Sequence, residues 1–358
     1  MKSVFLVKSP LQLLNAIEAK YHFNLNDSEC VLIVMSDKKN NAQLMSLSQV
    51  YNKWGEVYYF DSINPFFISK QQNCHDLSNS ESVMQRILNS SFFSVKKINK
   101  LIKIIGDISL LFIGDNHNSF MRHFINKSKC EKIILLDDGV GAIYMADIRM
   151  NNFKTTPDVR ISKKIKLAAK RIFQGLKDAQ ADSVCFFTVY DLNISEKDTL
   201  IKNEYRFLRK IAKDISQDDC VYFVGSPLVE TGIMSKVDHF SALKQIVEYF
   251  SEKNVIYISH RRENRKNLDE ISQSLNIKVC HFDYPLEFQL AMIGPRPVIV
   301  ASFVSSVIEN LRLIMGNDLK IVSFKFRPGT YKYQERIDAT YTYYEKNLGD
   351  NFCVVPLN

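Results

Sequence analysis

The sequence predicts an α/β protein made of two Rossmann-like domains facing each other across a cleft, and three observations predict it. Short apolar runs of β type alternate with stretches of helical periodicity from the first residues onward. The alternation falls into two series of comparable size, one ending near residue 150 and one starting near residue 216. The chain has 358 residues, about two domains at roughly 150 residues each. Its 12 glycines and 9 prolines against 24 phenylalanines and 16 tyrosines argue for packed layers and against a disordered or linker-rich chain.

The elements follow in order. Ser3–Val7 is a strand, Lys8-Ser9-Pro10 a tight loop, and Leu11, Leu14 and Ile17 recur at helical spacing. Further strands are predicted at Cys30–Met35, Glu56–Phe60, Ser109–Ile113 and Lys132–Leu136, with a polar helical stretch over 81–104. The second series places strands at Val221–Val224, Val255–Ile258, Ile277–Cys280, Val298–Ala301 and Lys320–Ser323, with helical patterns over 239–252, 266–274 and 304–315. The domains are accordingly 1–150 and 216–330, joined by a basic linker with helices over 151–215. The tail over 331–358, with Tyr331, Tyr333, Tyr341, Tyr343 and Tyr344, reads as a helix returning to the first domain.

Charge narrows the partners. The 47 Lys and Arg against 39 Asp and Glu leave +8, which favours an anionic partner. Much of the excess sits in 151–180, where Lys154, Arg160, Lys163, Lys164, Lys166, Lys170, Arg171 and Lys177 face only Asp158 and Asp178. Ile161, Ile165, Leu167, Ile172 and Phe173 are interspersed there, so the segment reads either as a solvated inter-domain helix or as a basic amphipathic helix touching anionic lipid. No basic and aromatic interleaving of the RNA-binding modules occurs, which argues against a nucleic-acid partner. The seven cysteines include no C-x-x-C pair, and neither a signal-peptide core nor an 18-residue apolar span is present, so the expected location is the cytoplasm. A homodimer is left open.

The residues able to carry chemistry cluster where strands end. Asp137-Asp138-Gly139 follows Lys132–Leu136, and an aspartate there can take the proton of an attacking hydroxyl, although a helix cap and a glycine turn explain the same residues. Gly225-Ser226-Pro227-Leu228 follows Val221–Val224 and echoes Lys8-Ser9-Pro10-Leu11; each is either a small loop offering N–H groups to a phosphate or sugar, or an ordinary helix start. His260-Arg261-Arg262-Glu263 brings an imidazole and two guanidiniums to a third strand exit, a pattern suited to a nucleotide phosphate. Glu287 is placed to accept the hydroxyls of a ribose, and Ser302, Ser305 and Ser306 open a helix whose N-terminus suits an anion, with one serine sufficing as a cap.

Taken together, these motifs resemble the bacterial lipooligosaccharide sialyltransferases, glycosyltransferase family 52, within the wider group of bacterial GT-B sialyltransferases. The resemblance spans residues 1–330 and implies Asp138 as base, His260 as phosphate contact or general acid, Glu287 on the cytidine ribose, and Ser305 with Ser306 on the phosphate. Arg261 stands where the group carries proline, which favours the lipooligosaccharide branch over the polysialyltransferase and marine-type branches. That branch has an aspartate in the second domain resembling Asp238, so the base is Asp138 or Asp238.

The resemblance makes 1–150 the acceptor side and 216–330 the nucleotide-sugar domain. It implies an inverting transfer of N-acetylneuraminic acid from CMP-N-acetylneuraminic acid to a galactose-terminated bacterial surface glycan by a protein peripheral to the inner membrane face. No D-x-D triplet occurs and a CMP-sugar has one phosphate, so neither metal nor other cofactor is expected. A different donor such as UDP-glucose, or a non-catalytic nucleotide- or glycan-binding module, are the other readings.

Overall fold

The computed structural model describes residues 1–36, 41–61, 95–139, 141–150, 171, 175–212, 215–326, 334–346 and 349–357. The chain divides into two compact units, Met1–Glu204 and Tyr205–Asn358.

In the first unit, seven strands form one all-parallel sheet: β1 (Lys2–Val7), β2 (Cys30–Ser36), β3 (Glu56–Asp61), β4 (Ile108–Ile113), β5 (Cys130–Leu136), β6 (Cys185–Thr188) and β7 (Thr199–Lys202). Their order is β3-β2-β1-β4-β5-β6-β7, the doubly wound arrangement. Strands of such a sheet are buried on both faces, which is why Val4 to Val7 read as an unbroken apolar run. Leu6, Ile33, Leu111 and Ile113 join one core cluster with Leu101 of α3 (helical over the described residues 95–105), Phe124 of α4 (Ser119–Lys127) and Met145 of α5 (Gly141–Met150). Elsewhere on this sheet Phe5 stacks on Phe112 with ring centres 4.2 Å apart and meets Trp54 edge-on. The first helix, α1 (Pro10–His22), starts as the sequence predicts, with Pro10 in its first turn and Ser9 Oγ accepting the Gln12 N–H at 3.2 Å.

The second half of the expected linker is part of the folded units. β6 and β7 extend the first sheet, and α6 (Arg206–Ala212) lies in the second unit. A buried ion pair secures this extension: Arg149 donates from Nε and Nη2 to the two oxygens of Asp198, each at 2.7 Å, and Asp198 Oδ1 also accepts the Val184 N–H. The strand-type run Val184–Val189 was hidden by the charge bias upstream of it. Of that basic segment, 151–170 and 172–174 lie outside the described residues; Arg171 pairs with Asp178 at 2.9 Å.

The second unit holds β8 (Gln217–Val224), β9 (Asn254–Ile258), β10 (Lys278–Cys280), β11 (Arg296–Ser302), β12 (Lys320–Lys325) and β13 (Phe352–Pro356), all parallel, in the order β10-β9-β8-β11-β12-β13. Its helices include α7 (Lys236–Tyr249), α8 (Arg265–Leu275), α9 (Leu286–Phe288), α10 (Ser306–Met315) and α11 (Gln334–Lys346). Phe223, Phe303 and Phe324, all buried, form its aromatic centre.

The tail differs from the expected helix returning to the first domain. It is a helix followed by a strand, β13, that completes the second sheet, and it belongs to the second unit. Buried Tyr341 donates its hydroxyl to Phe324 O at 2.8 Å and Tyr344 donates to Ser305 O at 2.9 Å, so two of the tyrosines fasten the tail to β12 and to the start of α10. Tyr331 and Tyr333 lie outside the described residues.

In a doubly wound sheet ligands gather at the C-terminal strand ends, beside the point where strand order reverses. These points are the exits of β1 and β4 in the first unit and of β8 and β11 in the second.

Candidate active site

In the first unit the adjacent carboxylates of the Asp-Asp-Gly motif part ways. Asp137, only 3% exposed, accepts the Val189 N–H on Oδ2 at 2.8 Å, while its main-chain oxygen accepts from Asn15 Nδ2 at 3.1 Å. Asn203 in turn donates to Asn15 Oδ1. Asp137 therefore ties the exit of β5 to that of β6 and to α1, and burial pushes its carboxyl up to about 7 against the stabilising Thr188 hydroxyl and Val189 N–H. Its expected contact with substrate is replaced by this internal role.

Asp138 stands on the open side. Gly139 follows with φ +63°, a left-handed conformation that a side chain would strain, and the chain turns there into α5. Ser9 Oγ lies 3.4 Å from Asp138 Oδ1, so the hydroxyl that caps α1 also donates toward the carboxylate. The side chains packed around the inner part of Asp138 push its pKa above the ordinary carboxylate value; the Gln12 carboxamide and Ser9 hydroxyl favour the anion, and Asp115 disfavours it. Asp115, at the exit of β4, is itself held by Lys8 at 2.5 Å. An exposed carboxylate of raised basicity, oriented by a hydroxyl, can take a proton from an incoming alcohol.

The second unit joins the β8 and β9 exits into one structure. Gly225 passes so close to β9 that a Cβ there would lie 2.5 Å from Glu263 Oε2 and 2.6 Å from Tyr257 Oη. Only glycine permits that approach. The half-buried Ser226 follows, and further along the same loop Glu230 accepts the Asn264 N–H at 2.8 Å, drawing the loop onto the start of α8. His260 is half-buried, and its Nδ1 accepts the Arg262 N–H at 3.1 Å, so the neutral ring carries its proton on Nε2. Burial, then Arg261 and Arg262, hold the ring down at about 4. Near neutral pH His260 thus offers a neutral N–H donor, flanked by two exposed guanidiniums. That is the chemistry of a phosphate contact; an imidazolium serving as general acid would need a higher pKa.

The remaining expected residues fall into two groups. Ser305 caps α10, its Oγ accepting the Val307 N–H, and Ser306 begins the helix, so both stand at a helix N-terminus beside the β11 exit. Glu287 is 3% exposed and accepts from Asn310 Nδ2 at 2.8 Å; burial raises its pKa. Ser302 is fully buried and donates to Val224 O, joining β11 to β8, so its hydroxyl serves the sheet and not a ligand. Asp238 lies in the first turn of α7, where its carboxylate accepts from Ser235 Oγ at 2.6 Å while its N–H donates back to that hydroxyl. Exposed on the helix start, it closes a reciprocal cap, which accounts for an acidic residue at that position without a catalytic role.

Sequence reasoning passed over Gln12, Asp115, Glu230, Tyr257 and His281, and named Glu263 within the H-R-R-E cluster without giving it a role. Asp115 and His281 were findable, because His281 directly follows a predicted strand and Asp115 follows one after Gly114. His281 Nδ1 lies 3.2 Å from Ser259 Oγ beside the His260 turn. Among the described residues no group of three or more His, Cys, Asp or Glu is disposed to hold a metal ion, and no helix is long and apolar enough to cross a membrane.

The family model of the alpha-2,8-polysialyltransferases matches residues 3–322. The chain belongs to this family. It is therefore a glycosyltransferase of sialyltransferase type, and the match falls on the polysialyltransferases that Arg261 spoke against.

Among solved structures, the α/β-galactoside α-2,3-sialyltransferase of the luminous marine bacterium Photobacterium phosphoreum is similar over 98% of both chains, at 12% identity and a TM-score of 0.50. The spinosyn forosaminyltransferase matches over 99% of this chain and 86% of its own, at 10% identity and a TM-score of 0.48. A UDP-glucosyltransferase of Polygonum tinctorium matches over 96% and 83%, at 11% identity and a TM-score of 0.47. At such identities the likeness concerns the fold, which is GT-B, two parallel-sheet α/β domains. No curated protein sequence matches this chain.

Proposed function

We propose that this glycosyltransferase is an inverting, metal-independent sialyltransferase that moves N-acetylneuraminic acid from CMP-N-acetylneuraminic acid to a galactose-terminated bacterial surface glycan. The observation that carries the reading is Asp138, an exposed carboxylate of raised pKa at a strand exit with the Ser9 hydroxyl directed at it. It takes the proton of the acceptor hydroxyl as that oxygen attacks the anomeric carbon, and CMP leaves in the same step with inversion. The phosphate of the departing CMP accepts from His260 Nε2–H and from the N-terminus of α10 at Ser305 and Ser306, with Arg261 and Arg262 offsetting its charge. Asp138 is preferred to Asp238 because the latter is engaged in the cap of α7.

A second acceptor has its own support. The family description names an α-2,8 linkage, which calls for a glycan that already ends in sialic acid; the chemistry at Asp138 is the same. On either reading the acceptor is carried on a membrane, and the basic stretch over 151–180 supplies a peripheral contact with anionic lipid on the cytoplasmic face.

The test incubates the protein with CMP-N-acetylneuraminic acid and either a lactoside or a sialyllactoside, each with and without EDTA. Transfer that persists in EDTA supports the proposal, and the productive arm identifies the acceptor. Absence of both transfer and CMP release in every arm, or transfer from UDP-glucose instead, overturns it.

A further inference from the structure

The geometry points to Glu263 as a positioning residue for donor binding, acting through the main-chain N–H of His260 and anchored by the buried hydroxyl of Tyr257. This rests on the reading of His260 as a phosphate contact.

Glu263 closes the H-R-R-E turn from both sides. Its Oε2 accepts the His260 N–H at 2.6 Å, and its own N–H donates to His260 O at 2.9 Å. Its Oε1 accepts the Tyr257 hydroxyl, also at 2.6 Å, and Tyr257 is fully buried in β9. The carboxylate is thus fixed at both oxygens, one to the strand and one to the main chain of His260. The main chain of Gly225 packs against the same carboxylate and hydroxyl, so the β8 exit takes its position from them too. One side chain therefore sets the distance between the β8 exit and the His260 turn proposed to hold the phosphate. With its main chain held by Glu263 and its Nδ1 by Arg262 N–H, the His260 ring keeps one direction for Nε2–H.

A carboxylate so near an anion site would ordinarily repel the ligand. Burial pushes Glu263 up to about 7, against the Tyr257 hydroxyl and the His260 N–H, which favour the anion and leave its charge engaged inside the turn. A residue serving only to close a turn would not need to touch both strand exits.

The experiment compares wild type, Glu263→Ala, Glu263→Gln and Tyr257→Phe by steady-state kinetics with CMP-N-acetylneuraminic acid and by NMR titration of the His260 ring in ligand-free protein, assigned with His260→Asn. Glutamine keeps the shape and can still accept from His260, whereas alanine releases both bonds. Expected for Glu263→Ala is a donor KM about tenfold higher, with kcat and acceptor KM within about threefold of wild type and a shifted His260 midpoint. Glu263→Gln should restore the donor KM to within about threefold, and Tyr257→Phe should raise it by about threefold.

Wild-type donor KM and His260 titration in Glu263→Ala would overturn the inference. So would equal rises in donor and acceptor KM accompanied by a lower Tm, the signature of a purely structural turn. Should alanine prevent folding, the Tyr257→Phe kinetics decide. If wild type uses no CMP-sugar, the donor reading fails separately, and the NMR comparison, which needs no nucleotide, still decides whether Glu263 positions His260.

Discussion

Replacing Asp137 by asparagine should strengthen the first unit at pH 8 and leave it nearly unchanged at pH 4. The carboxyl titrates at about 7 in the fold against an ordinary value of 3.8. Between these values the folded chain keeps a proton that the unfolded chain has released. Stability contributed by the raised pKa is therefore complete below the unfolded value and is lost as pH rises through the folded one. The displacement is about three units, or about 4 kcal/mol, at about 1.4 kcal/mol per pH unit.

Wild type alone would not display this slope. Burial holds His123 of α4 down at about 4 from 6.5, so rising pH strengthens the fold between those values and offsets Asp137. The difference between variant and wild type removes His123 and leaves Asp137. Asparagine can still accept the Val189 N–H through its Oδ1. The assay is urea denaturation followed by the fluorescence of Trp54, the only tryptophan, which is buried in the first unit against Phe5 and Tyr51. The advantage of Asp137→Asn should grow from near zero at pH 4 toward about 4 kcal/mol at pH 8. A difference that is the same at both ends would refute the assignment of Asp137 as a buried, internally bonded carboxyl.

Asp138→Asn should lower transfer by about 10²- to 10⁴-fold, the usual contribution of a general base, with Trp54 unfolding unchanged; transfer within tenfold of wild type would count against Asp138 as base. Asp238→Ala should keep transfer within about twofold while costing the second unit about 0.5–1 kcal/mol through the lost cap, read by circular dichroism during thermal unfolding. Arg149→Ala leaves Asp198 buried without its cation and should cost about 3–5 kcal/mol in the Trp54 assay, a loss under 1 kcal/mol showing that the pair does not secure β6 and β7.

How much was legible depended on whether a signal is local. The strands β1, β2 and β4 were readable because a strand buried on both faces must be largely apolar, and β5 and β8 through the buried apolar runs at their C-terminal ends, whatever they pair with. β6 and β7 have four residues each and follow a strongly basic segment, so charge masked them; β13 closes a chain end that reads equally well as helix. The strand-exit motifs were legible as places, since carboxylates, small loops and the H-R-R-E cluster all fell at the ends of predicted strands. Their division of labour was not. Nothing local says that Asp137 turns inward to Val189 and Asp138 outward to Ser9, because both partners lie far away in sequence. The same holds for Ser302, spent on Val224, and for Glu263, whose role depends on Gly225 approaching from another strand.

The sequence by itself determined the two α/β series, their parallel strands and the strand ends that carry polar groups, because periodicity and apolar runs follow from burial of each element separately. Only the tertiary structure decided which of those polar groups face inward and which stay available. Parallel strands bring together exits that are tens of residues apart, and a side chain's hydrogen-bond partner there, not its type, sets whether it holds the fold or meets a ligand.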